Sequence, residues 1–157
     1  MHISMKCSVA IHCLIFIFEY GEQTKVSSEL LSRSTGVNPV TIRNTLGALK
    51  KAGILSIRQG TAGTRLRCPP SEIDLFRVCT ALEPDFLSNL FGIHGSPAEA
   101  CPIGYRIHDI LDSTYGKIKQ DLCLSLKRIT LEQIIQDYHR RLSEKAREEE
   151  TSTAAPS

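Results

Sequence analysis

Cys101 is the residue with the clearest chemical opportunity in this sequence. Pro102 directly after it suits the first position of a helix. The thiol is therefore expected at a helix N-terminus, where unpaired amides favour thiolate and raise reactivity toward oxidants or electrophiles. A plain account also fits, in which Cys is a small capping residue. His94 and His108, with Cys101, offer nitrogen and sulfur donors of the kind zinc takes, but their spacing crosses an unconstrained loop and no metal site is assigned. Cys7 and Cys13, six apart, fall about 240° apart around a helix and cannot hold one ion from a common face. Asp109 and Asp112 lie on a charged helix face, where they are most simply solvated. No Gly-x-Ser-x-Gly or His-Glu-x-x-His occurs. Gly60-Thr61-Ala62-Gly63 lacks the Lys-Ser/Thr of a phosphate loop and opens no helix. With no catalytic constellation, the chain is not read as an enzyme.

The second kind of chemistry is recognition. Asn38, Pro39, Val40, Thr41, Arg43, Asn44 and Lys51, with Ser28 before them, bring amides, methyl groups and cations together in one short stretch. Amides and guanidinium groups read base edges in a major groove, and cations neutralise phosphates. A second group, Arg58, Thr61 and Arg65, with Arg67 beside it, surrounds a glycine-bearing tip that suits a minor groove or backbone.

These residues need particular elements to present them. Ser27 or Ser28 caps a first helix running to Ser34, and Thr35-Gly36-Val37 turns the chain, with Gly36 free to take a positive φ. Asn38-Pro39 restarts it as an N-cap followed by a first-turn proline, and Gly53 closes the second helix. On a helical wheel Ile42, Leu46 and Leu49 share one face, while Val40, Asn44, Gly47 and Lys51 fall opposite, with Thr41 and Arg43 between. One face packs and the other is free to read, as in a helix-turn-helix. Residues 54–58 and 64–67 then favour two strands around a turn. Helix, turn, helix and hairpin is the winged-helix order.

The remaining pattern supplies support and assembly. Residues 1–20 predict a helix with a buried stripe of Val9, Cys13, Phe16, Ile17 and Tyr20. Residues 71–82 predict a short helix with Leu75, Val78, Cys79 and Leu82 inward. Pro84, Gly92, Gly95 and Pro97 make residues 83–100 an irregular loop, a place for a sensing region. From Cys101-Pro102 the longest helix runs to about Leu126. Its band of Ile103, Ile107, Ile110, Leu111, Thr114, Ile118 and Leu122 is too long for a chain this small to cover alone, so a second copy is the expected partner and a homodimer the expected state, with packing on the first helix as the intramolecular alternative. Thr130-Leu131-Glu132-Gln133 is a capping box opening a last helix with Leu131, Ile134, Ile135, Tyr138 and Leu142 inward. From Glu144 the chain is highly charged and is predicted disordered.

The fold class so read is mainly α with a small β-hairpin wing: a winged helix-turn-helix over residues 1–82, a loop over 83–100, a dimerisation helix and C-terminal helix over 101–143, and a tail over 144–157. Net charge is only +2, with 41% apolar and 23% charged residues, ordinary for a soluble protein. The charge is unevenly placed: residues 1–70 hold nine Lys or Arg against three Asp or Glu, a net of +6, and residues 71–157 hold ten against fourteen, a net of −4. The basic half carries the helix-turn-helix, which fits double-stranded DNA as partner. The longest apolar run, Cys13–Phe18, is far short of the roughly 20 residues a membrane span needs. No cleavage-site pattern follows it, so the six cysteines are read as thiols in a reducing cytoplasm.

The order of elements, the LKKAGIL that follows the helix-turn-helix, the Gly60/Gly63 wing and the long C-terminal helix together resemble the Rrf2 family of bacterial winged-helix transcription regulators, over roughly residues 1–142. The resemblance implies a homodimer joined by the long helix, with helix 38–52 and wing 54–67 on a palindromic operator, and a repressor as output. Members that hold an iron-sulfur cluster supply three cysteines between the short and long helices, and in some a histidine three residues into the helix. Here only Cys101 lies in that window, Gly104 stands at the histidine position, and Gly63-Thr64-Arg65 replaces the wing's usual glycine pair and aromatic. The chain thus looks like the cluster-free subgroup, and no cofactor is expected. A winged-helix module that binds protein instead of DNA is the alternative from a different class.

Overall fold

A computed structural model describes residues 5–58, 63–95, 97–98 and 100–153, apart from the side chains of Arg58 and residues 149–153. Eight regular elements follow in order: α1 Met5–Tyr20, α2 Ser28–Thr35, α3 Pro39–Lys51, β1 Leu55–Arg58, β2 Gly63–Leu66, α4 Leu75–Leu82, α5 Pro102–Arg128 and α6 Leu131–Thr153, with single 3-10 turns at Pro70–Glu72 and Ser88–Leu90. No helix among the described residues is long and apolar enough to cross a membrane.

The helix ends follow their capping chemistry. Ser27, not Ser28, caps α2, its hydroxyl accepting from Leu30 N at 3.2 Å. Gly36 then takes φ 71°, a conformation costly for any residue with a Cβ. Asn38 caps α3 by accepting from Val40 N at 2.8 Å. The far end of α3 is a Schellman closure: Gly53 at φ 72° donates to Lys50 O, and Ile54 donates to Leu49 O, both at 3.0 Å. Leu49 and Ile54 are both fully buried there. At α6 the capping box is reciprocal, Thr130 N donating to Gln133 Oε1 at 3.1 Å and Gln133 N to Thr130 Oγ1 at 3.3 Å.

The wing is a two-stranded antiparallel hairpin with Leu55 opposite Leu66 and Arg58 opposite Gly63. Its strands are offset by one residue from the sequence expectation of 54–58 and 64–67, because Ile54 is taken by the helix closure. The core lies between α1, the helix-turn-helix and the wing base, built on Leu14, Ile17, Leu31, Ile42, Leu49, Ile54 and Leu55, and it is closed below by Ile73, Val78, Leu131 and Ile135.

Three expectations need correction. The helix over 71–82 divides, since Asp74 caps α4 by accepting from Arg77 N at 2.7 Å and so starts a new helix after the 3-10 turn. On α1 the buried set is Cys7, Ala10, Cys13, Leu14 and Ile17, with Tyr20 exposed, so the stripe sits one position around from the expected one. The last helix does not end at the boundary drawn before Glu144: α6 continues to Thr153, because a capped N-terminus feeds a Glu-, Lys- and Arg-rich run of good helix formers. Residues 154–157 of the tail lie outside the described ones.

Candidate nucleic-acid interface

The outer face of α3 is the first half of the site. Ile42, Thr45, Leu46 and Leu49 are buried, and Thr45 settles its hydroxyl by donating to Thr41 O at 2.9 Å. Val40, Thr41, Arg43, Asn44, Gly47, Lys50 and Lys51 are exposed. The helix therefore presents a strip of side chains suited to base edges and phosphates, with a gap at Gly47. An added Cβ at Gly47 would meet nothing within 4 Å.

Three of the expected contact residues also have structural places. Asn38 is exposed, but its side-chain oxygen is held by the α3 cap, which leaves its amide N–H groups free to face a ligand. Pro39 is the first residue of α3 and half-buried. Ser28 opens α2 and is half-buried. Beside it the Glu29 carboxyl is held below its usual range, first by its own backbone N–H and then by the Ser28 hydroxyl. A carboxylate so fixed at the start of α2 complements the helix dipole.

The wing forms the second half. A cleft of about 480 Å³ separates it from the end of α3, lined by Lys50, Leu55, Ser56, Ile57, Leu66 and Arg67. Lys50 from the end of α3 and Arg67 from the end of the wing thus line one cleft. Lys50 is missing from the sequence-based contact set, although it adjoins Lys51; Arg67, read with the wing arginines, lines the same cleft, which exists only once β2 folds back. Arg65 is placed differently from expectation. Its Nη1 lies 2.8 Å from Glu22 Oε1 on the α1–α2 connection, an ion pair without hydrogen-bond alignment, so this guanidinium ties the wing base down. Arg58 has its backbone in β1, and Thr61 lies outside the described residues.

The residues of the expected dimerisation band lie along α5 and are open to different degrees. No residue of α5 is buried within the chain. Ile103 is 71% exposed, Ile110 54% and Ile118 43%; Thr114 is exposed, and Ile107, Leu111 and Leu122 are half-covered. Inside the chain α5 packs chiefly on α4, not on α1.

Cys101 is the exposed N-cap residue of α5. The N–H groups of Gly104, first, and of Ile103 hold its thiol below the usual range. The preceding loop closes tightly on this helix: Cys101 N donates to Ala98 O at 3.0 Å, His108 Nε2 lies 3.0 Å from His94 O, and Phe91 stacks on Tyr115 with centroids 4.6 Å apart. Gly104 is required there, because a Cβ would come within 2.4 Å of Ala98 O. Among the described residues no three His, Cys, Asp or Glu groups converge as metal ligands.

Comparison with known proteins gives the geometry its context. The family model described as "Rrf2: Iron-dependent Transcriptional regulator" matches residues 3–137. A Bacillus subtilis (strain 168) protein, the candidate HTH-type transcriptional regulator YwnA, is 36% identical over 118 residues, covering 75% of this chain and 85% of that protein. Among solved structures, a candidate DNA-binding protein is 29% identical with a TM-score of 0.65, covering 83% of this chain and 98% of the other. A candidate transcriptional regulator from Lactobacillus plantarum has a TM-score of 0.73 at 24% identity, covering 94% and 98%, a likeness that bears on the fold.

Proposed function

The chain belongs to the Rrf2 family of transcriptional regulators, and from that premise we propose that this DNA-binding regulator works in the cytoplasm as a homodimeric repressor on a palindromic operator. The observation that carries the reading is the exposed outer strip of α3 beside the basic cleft under the wing. In this reading Thr41, Arg43 and Asn44 meet base edges. Lys50, Lys51 and Arg67 meet phosphates, and the exposed band of α5 pairs with its copy so that two α3 helices reach successive major grooves about 34 Å apart. The family membership favours this over the protein-binding alternative, and the chain acts as a regulator without catalysis of its own.

The regulatory input we assign to Cys101. Its thiolate would attack a hydroperoxide oxygen, giving the sulfenic acid and releasing water or an alcohol, at a helix start gripped by the loop. No cofactor enters this scheme.

A gel-shift series on promoter fragments tests the output. Wild-type protein is expected to bind with affinity that falls steeply as salt rises, and Arg43→Ala to lose about ten-fold or more, the worth of one base or phosphate contact. Equal binding by the variant, or binding indifferent to salt, would remove α3 from the interface.

A further inference from the structure

Arg77 lies in the first turn of α4, yet its guanidinium holds four acceptors in three different segments. Nη2 donates to Ala52 O at 3.3 Å and to Gly53 O at 3.2 Å, at the end of α3. Nη1 donates to Glu72 O at 3.3 Å, in the 3-10 turn, and to Cys68 Sγ at 3.4 Å, just beyond the wing. Its own backbone N–H is fixed to the Asp74 carboxylate at 2.7 Å.

The chemistry of this arrangement is specific to arginine. The carbonyls of Ala52 and Gly53 lie past the last helical hydrogen bond, where a helix carries partial negative charge and wants donors or a cation. A planar fork of five N–H donors reaches several acceptors at once from one rigid plane, which a single ammonium cannot do. No carboxylate is among these four acceptors, so the charge is not consumed by one, and each bond is charge-assisted.

We infer that Arg77 is a positioning residue for DNA recognition: it locks the end of α3, the exit of the wing and the start of α4 in one geometry, and so sets the angle at which recognition helix and wing meet the duplex. The inference rests on α3 being the recognition helix. Because α4 is also the element on which α5 packs, the same guanidinium joins the reading head to the long helix. Arg77 itself contacts no DNA.

This makes a distinctive demand on binding. Non-specific affinity comes from phosphate neutralisation and tolerates small changes of angle, whereas base readout requires side chains to arrive in register. The experiment uses the full chain and two duplexes: one enriched by wild-type protein from a random 30-base-pair library, and one of scrambled sequence. Fluorescence anisotropy is recorded across a salt series for wild type, Arg77→Ala and Arg77→Lys, with circular dichroism to establish the folded fraction. Arg77→Ala is expected to lose about ten-fold or more on the enriched duplex, to stay within about two-fold on the scrambled one, and to keep the wild-type salt slope. Arg77→Lys, which keeps the charge but not the fork, is expected to lose in the same direction by less, and it carries the test if Arg77→Ala does not fold. A parallel loss on both duplexes would mean simple destabilisation and would overturn the inference, as would unchanged binding. A slope reduced by about one would mean that Arg77 touches a phosphate. If wild-type protein enriches no duplex at all, the DNA-binding reading falls first and takes this inference with it.

Discussion

Cys101 and Cys13 show how far surroundings separate two copies of the same residue. Cys13 is fully buried on α1, and burial pushes its thiol up to about 11; a charge there has neither water nor a partner. Cys101 is exposed and takes the N–H groups of Gly104 and Ile103, which lower it. The sign for stability follows: a thiol held lower in the folded state than in the unfolded one adds stability above the unfolded value, about 8.5, and that stability is lost as pH falls through the folded value. Alkylation with iodoacetamide, followed by mass spectrometry of the modified peptides, is expected to titrate at Cys101 below about pH 8.5 while Cys13 stays protected throughout. A Cys101 midpoint at or above that value removes the physical ground for a switch. The position of this residue was readable from Cys-Pro alone, since a helix start is a local signal. The clamp on it was not, because Ala98 approaches only where Gly104 lacks a Cβ.

Recognition helix and turn were legible nearly residue by residue, because capping side chains, a positive-φ glycine and a first-turn proline act over four residues or fewer. What the same stretch did not show is how it is held. Arg77 lies 24 and 25 residues from its α3 acceptors, and nothing in sequence spacing reports a contact made through tertiary folding. Arg65, read as a DNA ligand from its place in a basic run, also lies 2.8 Å from the Glu22 carboxylate, a contact that spacing does not report either. Gly47 offers a test of the element itself. Its site is open in the free protein, so Gly47→Ala is expected to stabilise α3 by about 1 kcal/mol and raise Tm by a few degrees. The same methyl group would stand where a groove wall must approach, and operator affinity is expected to fall by about ten-fold. A melt and a binding isotherm on one sample check both signs, and a variant that is more stable yet binds equally well would place the groove elsewhere.

At the scale of the molecule, the proposed function gives the basic half the reading of DNA and the acidic half the assembly of the dimer. Along the 27 residues of α5 no side chain is fully buried, and Ile103, Ile110 and Ile118 stay exposed; covering them is the driving force that the proposed dimer would draw on. Ile110, 54% exposed near the middle of the first half of α5, is the position to break. Ile110→Glu is expected to give monomers at micromolar concentration by sedimentation velocity, with an unchanged circular dichroism spectrum and operator affinity reduced at least about a hundred-fold, because the two half-sites no longer add. A variant that remains dimeric would assign the contact to another surface.

The junction below α4 has a mechanical meaning. Leu75 N donates to Ile129 O at 2.9 Å and Leu131 N to Ile73 O at 2.7 Å, a pair of strand-like bonds that fastens the C-terminal end of α5 beside the winged domain. The opposite end, with Cys101, stands about 40 Å away at 1.5 Å per residue. Were the helix to pivot at Ile129, a tilt of about 5° would sweep the Cys101 end through about 3.5 Å, and a push of a few ångströms at the thiol end would arrive at the winged domain as a small, geared-down rotation.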